Sequence, residues 1–100
     1  MYLLNGIKYK LVGHQTLTVA ASAVGPTLSG DNVMAMVVRI NDASLRWRAD
    51  GTDPTASVGK TERATSEILL TESSEIANFK AIRTGSDSSE IDFVFLTGAP

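Results

Sequence analysis

Ile40–Gly59, INDASLRWRADGTDPTASVG, joins an alternating segment to a turn-rich loop and holds the chain's single tryptophan. In an extended backbone successive side chains point to opposite faces, so Leu45 and Trp47 share one side while Arg46 and Arg48 share the other. This pattern describes a strand with one packed and one wet face, and Trp47 is expected in the core. Asp50-Gly51-Thr52-Asp53-Pro54-Thr55 then supplies turn chemistry: Asp bonds nearby backbone, Gly admits unusual dihedrals and Pro fixes φ. An ordered, projecting loop is expected there, with Asn41-Asp42-Ala43 as the turn before the strand.

Working outward, the same period of two recurs in short runs separated by Gly, Pro, Asn, Asp and Ser. Tyr2–Leu4 and Ile7–Leu11 flank Asn5-Gly6, a pair suited to a tight primed turn, which predicts an N-terminal hairpin or arm within residues 1–12. Thr16–Ala20 reads as a further strand, with Leu17 and Val19 pointing the same way. The segment 21–32, with two glycines and a proline, reads as a long surface connection. Val33–Ile40 is nearly continuous in apolar residues, as in a central strand or one whose second face is covered by another subunit. Glu67–Thr71 directs Ile68 and Leu70 inward, Ser73–Asn78 suits one helical turn, and Phe79–Thr84 sets Ile82 opposite Phe79 and Ala81. Ile91–Leu96 points Ile91, Phe93 and Phe95 one way and Asp92, Val94 and Leu96 the other, so partial cover is expected on both faces. The sum is an all-β fold, a compact β-sandwich or partly closed barrel of about seven to eight short antiparallel strands.

The 100 residues, 43% of them hydrophobic, fit one domain spanning residues 1–100, since two cores would each be too small to bury enough surface. Nine basic against eleven acidic residues give a net charge of −2 without a basic block, which argues against sequence-independent nucleic-acid binding. The absence of cysteine excludes disulfides and thiolate metal sites. Neither a cleaved signal peptide nor a bilayer-spanning helix is expected: Asn5, Gly6 and Lys8 interrupt the first apolar run, and the longest, Val33–Val38, falls far short of ~20 residues. A soluble protein is the expectation.

Candidate chemistry is sparse. Ser57-Val58-Gly59-Lys60-Thr61 ends like a phosphate-binding loop, yet Pro54 stands where the earlier glycine belongs and the following residues read as strand instead of helix. His14 is the only histidine, without a partner motif for a triad. Asp50 with Asp53, or Glu72 with Glu75, offers too few oxygens for a dedicated calcium loop; turn capping and a hydrated surface explain them. No catalytic, cofactor or metal residues are assigned, and an enzyme is not expected. Arg39, Arg46, Arg48 and Arg83 are of more interest, because guanidinium groups are enriched at protein contacts. For Arg46 and Arg48 an interface and a solvated sheet face with local ion pairs are evenly matched.

The run Leu45–Gly59 resembles a pattern in small tailed-bacteriophage virion proteins, in which an Ile/Leu-Arg-Tyr/Trp-Arg strand enters an Asp-Gly-Thr-x-Pro-Thr loop. Ile76-Ala77-Asn78-Phe79-Lys80-Ala81-Ile82-Arg83 and the strand Ile91–Phe95 are similar to that family's second half, so the likeness covers about Val37 to Thr97. The resemblance implies a non-enzymatic virion component, with a capsid cement or decoration protein favoured over a neck, tail or fibre component. It carries over no catalytic residue.

A cement protein buries surface across neighbouring shell subunits, and many identical sites multiply modest contacts. The expected partners are a major capsid protein or other virion protein and further copies of the chain, with neither nucleic acid nor membrane, on a virion assembled in the host cytoplasm. Candidate contact residues are Val33, Met34, Met36 and Val38 for apolar packing, Arg46 and Arg48 for polar recognition, and the N-terminal hairpin for arm-like exchange. The competing expectation is a carbohydrate- or receptor-binding β-module that uses Asp50, Thr52 and Asp53 of the loop.

Overall fold

A computed structural model describes residues 2–4, 7–28, 33–55 and 57–98, with backbone alone for 2–4 and 7. Among these residues the strands are β1 (Tyr2–Leu4), β2 (Ile7–Val19), β3 (Ala35–Ile40), β4 (Leu45–Arg48), β5 (Lys60–Glu62), β6 (Glu67–Leu70), β7 (Lys80–Arg83) and β8 (Ser89–Gly98), with one helix, α1 (Ser73–Asn78), before β7. They form a five-stranded sheet in the order β1-β2-β8-β3-β6 and a three-stranded sheet in the order β5-β4-β7. Every named pairing is antiparallel, and neither sheet closes into a barrel. The all-β expectation is therefore met, and of its two forms, sandwich or partly closed barrel, the chain takes the one with two sheets.

Two expected strands fuse. The sequence predicts separate strands at residues 7–11 and 16–20, whereas the chain runs through residues 12–15 between them as the thirteen-residue β2. A register shift between Leu11 and Gly13 absorbs the irregularity as a bulge. A Cβ on Gly13 would meet the Phe95 ring at 3.6 Å, ordinary van der Waals contact, so this glycine accommodates the ring without being forced by it. Tyr2–Leu4 pairs with Ile7–Tyr9 in hairpin register, although the Asn5-Gly6 turn itself lies outside the described residues. Within the connection 21–32, of which 29–32 lie outside the described residues, Val24 and Ala81 exchange backbone hydrogen bonds of 2.9 and 2.8 Å.

The core lies between the sheets, where alternation delivers one side of each strand. Met36, Val38 and Ile40 from β3, Ile91, Phe93 and Phe95 from β8, Ile68 and Leu70 from β6, and Leu45 and Ala81 from the small sheet are buried together. Ile76 of α1 and Phe79 are buried in the same core. Burying each large apolar side chain contributes about 1.5–3 kcal/mol against the chain entropy lost on folding. On the opposite face of the large sheet, Tyr9, Ala35 and Leu96 form a second buried cluster with Val37 and Val94 packed against it. The second face of Ile91–Leu96 is thus covered in part, as its apolar members implied.

Candidate recognition surface

Strand β4 is the centre of the small sheet, so both its edges are paired, one with β5 and the other with β7. On the inner side Trp47 is half-buried against the core and its ring lies over Phe79, with centroids 5.5 Å apart. Lys60, its partner across β5, places Nζ 5.8 Å from the indole centroid. The indole Nε1–H points at Glu62 Oε1 at 3.5 Å, the outer limit of a hydrogen bond.

On the outer side Arg46 and Arg48 occupy the non-core face that alternation assigns them, and both are half-buried and engaged within the chain. Arg46 donates to Thr61 Oγ1 at 2.8 Å and to the Gly59 carbonyl at 3.4 Å. Arg48 forks onto Asp50, with Nε donating to Oδ1 at 3.1 Å and a terminal nitrogen to Oδ2. Asp50 Oδ1 also accepts from the Thr52 N–H at 3.2 Å. These bonds, led by the one from Arg48, lower the Asp50 pKa to about 2.

The rest of the loop is ordered by its own residues. Gly51 and Gly59 take positive φ values of 90° and 133°. Thr55 and Val58 exchange backbone hydrogen bonds of 2.9 and 3.3 Å, Pro54 is buried, and Asp53 pairs with Lys80 at 3.2 Å. Of the loop's candidate recognition residues, Asp50 and Asp53 therefore spend carboxylate oxygens internally, and Thr52 stands exposed. An open hollow of about 360 Å³ lies beside the strand, lined by Trp47, Arg48, Asp50, Lys60 and Glu75 among others.

The apolar candidates divide. Met36 and Val38 have no exposed surface and are removed from the contact set: the in-out period turns them into the protein's own core, leaving nothing to offer a partner. Met34 is 47% exposed and Val33 half-buried. Alternation also carries Val37, Val94, Leu11 and Leu69 to the outer face of the large sheet, Leu11 and Leu69 being exposed. The in-out phase of Glu67–Thr71, which turns Ile68 and Leu70 inward, was the signal that could have singled out Leu69.

The remaining motifs stay apart. Ser57–Thr61 enters a three-residue strand, with Lys60 over Trp47 instead of at a helix start. His14 is exposed beside Val94, at the rim of a hollow of about 420 Å³ that also includes Gln15 and Leu28. Among the described residues no three acidic or histidine side chains gather as a metal site would require. Among the described residues no helix is long and apolar enough to cross a membrane.

Comparison of the chain with protein-family models, with curated proteins and with solved structures found no match.

Proposed function

We propose that this chain is a non-enzymatic structural component of a tailed-bacteriophage virion, a capsid cement or decoration protein that bridges neighbouring shell subunits. The observation that carries the reading is the outer face of the large sheet. There Leu69, Val37 and Val94 lie in one cross-strand row and continue an already buried cluster, giving the domain a second apolar face beyond its core. Burial of such a face against a neighbour is worth about 25 cal/mol per Å² of apolar surface, and repetition over a shell multiplies it. The resemblance of Leu45–Gly59 to virion proteins supports the same reading, with the internally tied loop acting as a rigid scaffold. The partners are a major capsid or other virion protein and further copies of the chain. The place of action is the virion.

Quantitative mass spectrometry of purified particles, followed by electron cryomicroscopy, tests this. Copies bridging shell subunits at a fixed ratio are expected. Absence from particles while infected cells contain the chain in abundance overturns the proposal, and density confined to a neck, tail or fibre moves it to that part of the virion.

A second reading, a carbohydrate- or receptor-binding module, draws on the hollow beside Trp47, where an aromatic edge, a guanidinium and carboxylates converge. It expects glycan-array binding that Asp50→Asn with Asp53→Asn abolishes in a folded protein, and no binding across host-surface glycans removes it.

A further inference from the structure

Strand β6 ends the large sheet: β3 takes one side, and no described strand takes the other. Its register sets Met36 against Leu70 and Val38 against Ile68, and the Ile40 N–H bonds the Ser66 carbonyl at 3.0 Å just before it. Bonded and non-bonded pairs alternate in an antiparallel ladder, so Ile68 and Leu70, in phase with the Ser66 carbonyl, spend their backbone groups on β3, while the Ser66 N–H turns back to the Arg63 carbonyl at 3.2 Å. The N–H and C=O groups of Glu67 and Leu69 then point to the open side, with Thr71 next in phase. All three residues are exposed, Leu69 by 39%.

The other edges are guarded. Beside β7, Val24 bonds Ala81 in both directions and the Arg83 N–H bonds the Ala20 carbonyl at 3.0 Å. Strand β5 is three residues long, carries Lys60 and Glu62, and runs into Arg63, while β1 is also three residues. Short length, charge, proline, bulges and covering segments are the usual protections of an edge. Glu67–Leu70, followed by Thr71, has one charge, no proline and no bulge.

We propose that β6 pairs antiparallel with β6 of a second copy about a twofold axis at Leu69, joining two five-stranded sheets into one. The charge pattern selects this occupant and register. With Leu69 facing its own counterpart, Glu67 lies opposite Thr71 and Glu72 opposite Ser66 of the second copy, so no carboxylate meets another. Moving the axis to Glu67 sets two carboxylates face to face, which is unfavourable. The contact is isologous and closes on itself. Leu69 packs against Leu69 of the other copy, and the apolar row through Val37 and Val94 continues across the axis. This dimer goes beyond the virion reading and stands or falls independently of any particle.

Sedimentation equilibrium of the full chain tests it, with Leu69→Lys and Leu69→Cys variants. A wild-type dimer is expected, lost in Leu69→Lys while the circular dichroism of the fold is retained. A bonded antiparallel pair holds its Cα atoms about 5.5 Å apart, within the disulfide range of about 4.4–6.8 Å. The chain contains no cysteine, so Leu69→Cys is expected to oxidise to a single covalent dimer far faster than Ser86→Cys on an exposed bend. A wild-type monomer at every accessible concentration, or a dimer that persists in Leu69→Lys, overturns the proposal. Oxidation of Leu69→Cys no faster than the control does so as well, and this arm remains decisive should the lysine variant fail to fold.

Discussion

The Trp47 indole stacks on Phe79 at 5.5 Å between centroids, and Phe79 in turn meets Phe93 edge-on at 5.7 Å. The contact links the centre of the small sheet to the centre of the large one, so Phe79 is an aromatic tie between the two layers. It is 2% exposed, and its removal leaves a cavity bounded by both sheets. Phe79→Ala should cost about 3–5 kcal/mol of unfolding free energy, and Trp47→Ala less, since the indole is only half-buried. Urea titrations of the two variants read the difference directly, and equal losses would contradict the proposed role of Phe79.

Gly25 approaches the same aromatic from the backbone side. A Cβ built there would lie 2.3 Å from the Phe79 carbonyl oxygen, a distance at which main chain must shift. Gly25→Ala is therefore expected to push the 21–28 segment away from β7, weaken the Val24–Ala81 bridge and cost about 1–3 kcal/mol. Gly85→Ala, with open space around the new methyl, should change stability by no more than about 1 kcal/mol. Thermal denaturation of the pair checks both outcomes.

How much of this was legible in the sequence follows from what alternation encodes. It reports which side of a strand is apolar, and Ile68 with Leu70, Phe93 with Phe95, and Leu45 with Trp47 were assigned to the inner side on that ground. It does not report whether an apolar side belongs to the core or to a second surface, which is why Met36 and Val38 entered the contact set with Met34. It also places Arg46 and Arg48 on a common outer face without revealing their partners, because Thr61 and the Gly59 carbonyl come into reach only when β5 folds back on β4. The fusion at Gly13-His14-Gln15 was hidden for a related reason: a bulge needs a partner strand, and β8 lies more than seventy residues away in the chain. The free edge of β6 depends on strand order, which a single strand's pattern does not contain.

Thr65 sits at φ 68° in the tight connection from β5 to β6, where its N–H bonds the Ile40 carbonyl at 2.7 Å. That is a left-handed conformation, costly for a β-branched residue, and its exposed side chain gains little in return. Asn tolerates this region better, so Thr65→Asn is expected to stabilise the protein by up to about 1 kcal/mol, and Thr65→Pro, which removes the N–H, to destabilise it. Denaturant midpoints of the two variants should move in opposite directions.

The loop provides a pH-dependent element of known sign. The Asp50 pKa is lowered from the ordinary 3.8 to about 2, first by the hydrogen bond from Arg48, then by the Thr52 N–H and by the Arg48 charge. A carboxylate whose folded pKa is depressed contributes stability that is present above its unfolded value and is lost as pH falls through the folded one. The contribution should thus be full above about pH 4 and fade toward about pH 2, and it is small because the pair is exposed to solvent. Asp92, held below its ordinary value by hydrogen bonds from Asn41 and then Thr16, fades in the same direction. Carboxyl titration by NMR should find Asp50 among the last groups to protonate on acidification. In Arg48→Met its titration should move up toward the ordinary carboxylate range while Asp92 stays depressed, and an Asp50 pKa unchanged by that substitution would rule out the Arg48 fork as the cause.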